Sequence, residues 1–120
     1  WSHYVVEGEM GEALDGVYRE HAPELHAHAG PARRSRAGES DDPFAAHPAF
    51  TGLATEVHRV ERALSAEQWA GVAFTYSDHR ALGPERVDAL RSALLAAVER
   101  HGGVVHACCE TFAATAQRVR

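Results

Sequence analysis

Apolar residues fall into distinct patterns along the chain, and each pattern predicts an element. Between Val6 and Glu20, Met10, Leu14, Val17 and Tyr18 recur at spacings of four, three and one, which is a helical stripe. Gly11 and Gly16 weaken that helix by about 1 kcal/mol each relative to Ala, and Pro23 ends it. From Thr55 to Leu64, β-branched residues mix with charges on both phases, as an edge strand does. Val57 and Val60 sit on opposite phases, so either a bulge interrupts the strand or the segment is helical. Ser65-Ala-Glu-Gln68 is a capping box, and the helix it opens would carry Trp69, Val72, Ala73 and Tyr76 on one face. Ser77 to Gly83 reads as a break. Pro84 then suits the first position of a helix whose stripe is Val87, Leu90, Leu94, Ala97 and Val98. Gly102 and Gly103 end it, with Arg100 and His101 in the last turn, where the helix dipole favours cations. The apolar run Val104 to Cys109 predicts an interior strand buried on both faces and continuing through Phe112. Ala113 to Arg120 is ambiguous, since Ala and Gln favour helix, and residues 1–4 show no pattern.

Residues 23–48 contain Pro23, Gly30, Pro31, Gly38, Pro43 and Pro48 and few large apolar groups. Such a segment cannot offset its own ordering entropy, so a flexible loop is expected, with Phe44 and Phe50 as anchors where order resumes. The expected organisation is a helix within residues 1–22, the loop 23–48, and a strand-helix-helix-strand unit over residues 49–120. Two strands alone do not make a stable sheet. The remainder is expected from a missing N-terminal half or from a dimer mate.

Composition narrows the function classes. The 120 residues carry 12 basic and 17 acidic side chains, a formal net charge of -5, which argues against a nucleic-acid grip built on bulk positive charge. No run of 18 apolar residues predicts a membrane span, and no basic-then-apolar start predicts a secretory signal. The two cysteines, Cys108 and Cys109, are adjacent, so they form no disulfide framework, and a reducing cytoplasmic setting is the default expectation. All the basic residues are Arg, a bias of genome composition rather than of function. The chain opens on Trp1 rather than Met, which suggests a fragment.

Candidate chemistry is thin. His21, His26 and His28 lie close in sequence, but no Cys or carboxylate nearby completes a tetrahedral metal set, so solvated histidines are expected and no metal is assigned. Cys108 and Cys109 lie inside an apolar strand run, where one thiol points to each face and neither meets the cation or helix N-terminus that activates a thiolate. Ser77, Asp78 and His79 invite a triad reading, yet consecutive residues cannot converge on one point, and no nucleophile elbow is present. A capped helix-end turn is the plainer reading. Arg33, Arg34 and Arg36, balanced by Glu39, Asp41 and Asp42, read as solvated charge.

Taken together, Val57-His-Arg-Val-Glu-Arg62, the Leu64-Ser-Ala-Glu-Gln68 helix start, Phe74-Thr-Tyr-Ser77, the Leu82-Gly-Pro-Glu-Arg86 lead into a helix ending in Gly-Gly, and the final strand resemble the C-terminal part of class I S-adenosylmethionine-dependent methyltransferases of the small-molecule type. Trp1 resembles the Trp that follows the fifth strand in many members. The resemblance covers about two thirds of the chain well. It implies an α/β chain, the C-terminal fragment of a Rossmann-like seven-stranded sheet, comprising the last two strands, antiparallel, with an inserted helical lid. The last strand would dock against a missing fifth, which precedes the helix of residues 1–22. It also implies S-adenosylmethionine as cofactor of the full-length protein, a small-molecule substrate, and in-line methyl transfer dominated by positioning. The G-x-G-x-G loop and the acidic residue that hold this cofactor are not found, so the chain alone is expected to be inactive, with no cofactor-binding residue and the catalytic residues unknown. Trp1, Trp69, Tyr76 and His79 are the candidates for the acceptor pocket, although Trp69, which shares a stripe with Val72, Ala73 and Tyr76, suits a core position better. The alternatives are a non-catalytic dimeric α+β binding or regulatory module and a His-rich metal-binding protein.

Overall fold

A computed structural model describes residues 2–25 and 47–120. Trp1, His26, His28, the Arg33-Arg34-Arg36 cluster, its acidic counterparts and Phe44 lie outside them. In chain order the elements are β1 (Ser2–Val5), α1 (Gly8–His21), a 3-10 turn (Pro23–Leu25), β2 (Phe50–Ser65), α2 (Ala66–Ala73), α3 (Ser77–Arg80), α4 (Pro84–Arg100) and β3 (Val104–Arg118). The result is an α/β chain with a three-stranded antiparallel sheet in the order β1-β3-β2.

Local chemistry accounts for most boundaries. The capping box forms as the sequence specifies: Ser65 Oγ accepts from the Gln68 amide at 3.2 Å, and Gln68 Oε1 accepts from the Ser65 amide at 2.9 Å. Pro84 opens α4 after Gly83, whose φ of +85° needs a residue without a Cβ. At the far end Gly102 and Gly103 also have positive φ, and the Gly103 amide donates to the Val98 carbonyl at 2.9 Å, the long-range bond of a Schellman ending.

The helices lie over one face of the sheet. Leu90, Leu94, Ala97 and Val98 of α4 are buried with Leu14, Val17 and Tyr18 of α1, Trp69 of α2, and Val105 and Ala107 of β3, while Tyr4 and Leu64 pack against this cluster. By strand alternation, the opposite face carries His3, Arg59, Glu61, Cys108 and Glu110. There His3 and Arg59 flank Glu110 from the two neighbouring strands. Arg59 Nε donates to Glu110 Oε2 at 2.7 Å, and His3 Nε2 lies 3.3 Å from Oε1, close but not aligned as a hydrogen bond. Glu110 is buried, so this row specifies the register of all three strands: a one-residue slip would strand a buried carboxylate among apolar groups.

The structure corrects several expectations. The segment 1–22 begins with a strand, β1, which pairs through Ser2↔Thr111, His3↔Glu110, Tyr4↔Cys109 and Val5↔Cys108. Four residues are too few to show periodicity, and their pairing depends on groups more than a hundred positions away. The last strand therefore has partners on both sides within the chain. β2 begins at Phe50 and not at Thr55, and its irregularity falls between Thr51 and Ala54, where Gly52 has φ +65°, upstream of Val57. β3 is not buried on both faces: Val105 and Ala107 are buried, whereas Val104 and His106 are exposed, because helices cover one face of this stretch. It runs on to Arg118, which settles the ambiguous tail as strand. Within the region read as a loop, Pro23–Leu25 form the 3-10 turn, and Leu25 is buried.

Candidate functional site

The turn between α2 and α4 is where the sequence placed its densest polar cluster, and its centre is His79. α2 ends at Ala73 and Tyr76 lies beyond it, so the buried face of α2 is Ala66, Trp69, Ala70 and Ala73, with Val72 half-buried. Tyr76 stands at the N-cap position of the short helix α3, without a side-chain cap, and the helix carries His79 inward, where it is 3% exposed. Asp78 Oδ1 accepts from both the backbone N–H and Nδ1 of its neighbour at 2.7 Å. In the neutral imidazole, Nδ1 donating to a carboxylate leaves the lone pair on Nε2, which lies 2.7 Å from the Tyr18 hydroxyl and accepts its hydrogen bond. Burial, reinforced by the Asp78 carboxylate and by Tyr76, pushes the Tyr18 hydroxyl well above its usual value of 10.0, so this phenol keeps its proton.

Three other rings meet the imidazole. Tyr18 and Phe74 stand edge-on to it, with centroids 5.4 and 5.9 Å away, and Tyr76 lies tilted at 5.7 Å. Tyr76 is 38% exposed and Asp78 is also exposed, so they form the solvent side of this aromatic cluster. Both nitrogens of His79 are occupied. The chain Asp78–His79–Tyr18 thus fixes α3 to α1 and holds a wall of rings in one orientation; it does not present a free base.

The structure brings Tyr76 and His79 together as the sequence reading grouped them, and adds Tyr18 and Phe74. Trp69 goes elsewhere: it is 8% exposed and stacks edge-on against Tyr4, 5.9 Å between centroids, with its indole N–H buried and without an acceptor among the described residues. Trp1 lies outside the described residues. The triad reading of Ser77, Asp78 and His79 gives way to a different third member, since Tyr18, 61 positions away in sequence, completes the chain. Tyr18 was legible only as part of an apolar stripe. The signal that points to it is chemical: a tyrosine in a buried stripe needs a partner for its hydroxyl.

Other features carry less chemistry. A shallow groove of about 530 Å³ between α1 and α4 is lined by Glu9, Glu12, Glu20, Arg100 and His101 among others, but by none of Trp69, Tyr76 and His79. His101 Nδ1 is committed to the Ala97 carbonyl at 2.7 Å. No three His, Cys, Asp or Glu side chains among the described residues converge as a metal set. The two thiols are free and half-buried on opposite faces, and burial together with the Glu61 carboxylate raises Cys108, away from reactive thiolate. No helix among the described residues is long and apolar enough to cross a membrane. Comparison with protein-family models, with curated proteins and with solved structures gives no match to the chain.

Proposed function

We propose that this chain is the C-terminal, acceptor-side portion of a class I S-adenosylmethionine-dependent methyltransferase acting on a small molecule. The observation that carries the reading is the strand order. The resemblance implies a last strand antiparallel to its predecessor and docked against a fifth strand upstream. β3 lies between β2 and β1 and is antiparallel to both, which supports the reading with β1 as the strand against which the last one docks; that strand then follows Trp1 instead of preceding it. The helices α2 and α3 follow the carboxyl end of β2, the edge at which open α/β sheets bind ligands.

The cofactor does not fit the described residues. The strand-to-helix turn after β1 is Val6-Glu7-Gly8, with an acidic N-cap and no succession of glycines to let backbone approach a ligand. Cofactor binding therefore falls to sequence upstream, and no transfer step is assigned to residues of this chain. Their part is positional. Tyr76 and Phe74 form an apolar wall, and Asp78–His79–Tyr18 keeps that wall from shifting as an acceptor binds.

The test is the DNA upstream of the Trp1 codon, read in frame. An open frame of about one further domain, with a strand followed by G-x-G-x-G and an acidic residue about twenty positions on, supports the reading. A stop codon and a start codon just upstream overturn it.

A further inference from the structure

The edge strand β2 has an unusual combination of properties. It is sixteen residues long, exposed along almost its whole length, and it forms the outer edge of the sheet among the described residues. Charges normally protect such an edge from pairing. Here, however, they alternate in sign: Glu56, Arg59, Glu61 and Arg62 surround Val60, a large apolar side chain left 52% exposed.

We propose that β2 pairs with β2 of a second copy of this chain, antiparallel and centred on Val60, to give a continuous six-stranded sheet. The inference is independent of the functional reading above. The symmetry limits the choices. A twofold axis perpendicular to the sheet keeps each face on its own side, so the axis passes through one residue and pairs its neighbours symmetrically. Centred on Arg59, the strands oppose Arg59 to itself; centred on Glu61, they oppose Glu61 to itself. Like charges directly opposite destabilise a pair. Centres at Val57 or His58 form no Arg–Glu pair. Centred on Val60, Arg59 faces Glu61 of the second copy twice, Val57 faces Ala63 twice, and the two Val60 side chains meet on the axis. Arg59 also holds Glu110 through its Nε, and half of its side chain remains exposed to meet the second copy.

Sedimentation equilibrium on the full chain over rising concentration tests the proposal. The average mass is expected to rise from 13.0 kDa toward twice that value. Glu61→Arg sets arginine against Arg59 at both pairs and is expected to raise the dissociation constant about ten- to a hundredfold. Glu56→Arg, whose facing residue is the uncharged Leu64, is expected to change it by less than about threefold. Hydrogen exchange on the unaltered chain supplies a second reading that needs no variant: within residues 57–63, the alternate amides that point away from β3 should become protected as concentration rises. A chain that stays monomeric, a dimer indifferent to Glu61→Arg, assembly beyond two copies, or concentration-dependent protection outside β2 overturns the proposal.

Discussion

The two ends of the same sheet are built on different terms. At the Val104 end, β3 lies beneath α2 and α4: Val105, Ala107, Leu90, Leu94 and Val98 are fully buried, and β1 closes the other side. At the Arg118 end, β3 pairs only with the start of β2, and Phe50 to Glu56 are exposed apart from half-buried Phe50. Backbone pairing runs through both, from Phe50 to Ser65 of β2, interrupted only by the irregularity between Thr51 and Ala54. The difference is therefore not hydrogen bonding. It is whether a helix removes side chains from water, the dominant favourable contribution to folding. The helix-covered end determines whether the chain folds, and the ribbon is held in register by it and left accessible.

The sharpest break of that contrast is a pair of truncations. Leu94→Ala is expected to cost about 2–5 kcal/mol by denaturant unfolding, because a fully buried leucine leaves a cavity. Leu53→Ala on the ribbon should stay within about 0.5 kcal/mol. Equal losses would show that the two ends are one unit energetically.

Next comes the Tyr18–His79 bond, which belongs to the covered end although it lies beneath an exposed turn. Tyr18→Phe leaves the His79 lone pair buried without its donor and should cost about 1–3 kcal/mol. Burial of the same hydroxyl, with the Asp78 carboxylate nearby, predicts an alkaline signature. A hydroxyl pushed above 10.0 in the folded state contributes stability that is complete below the unfolded value and fades as pH rises through the folded one. Stability should therefore fall above pH 10, and less so in Tyr18→Phe. In a phenolate absorbance titration, Tyr18 should ionise only with unfolding.

Ser65→Ala removes half of the capping box where the ribbon meets the helices and should cost about 1 kcal/mol in thermal or chemical unfolding. The smallest effect is expected at the exposed Glu24–Arg86 pair. The Arg86 guanidinium lowers the Glu24 carboxyl from its usual 4.5, so its small contribution is present above that value and lost as pH falls below it. Glu24→Gln should leave stability at pH 7 nearly unchanged and flatten the acid limb slightly.

Legibility followed the same division. The elements that bury a stripe, α1 and α4, and those fixed by local chemistry, the capping box and the Gly-Gly ending, were readable from neighbouring residues alone. β1 was not, because Ser2 to Val5 depend on Cys108 to Thr111 and on a buried carboxylate at Glu110. The extent of β2 was also obscured, since its pattern is broken at Gly52 and few of its side chains are buried. Of the candidate site, His79 and Tyr76 were visible as a polar turn beside aromatic residues, but the partner that organises them, Tyr18, sat in a stripe that hydrophobicity fully explained. Trp69 is the converse: its position in a stripe indicated core, and the core is where it lies.

The most direct measurement is a calorimetric titration with S-adenosylmethionine of the protein translated from the whole reading frame that contains this chain, beside the 120-residue chain alone. The account predicts saturable binding to the former and no heat of binding to the latter, whose described residues lack the glycine-rich turn. Binding by the 120-residue chain alone, or no binding by the longer protein, would contradict it.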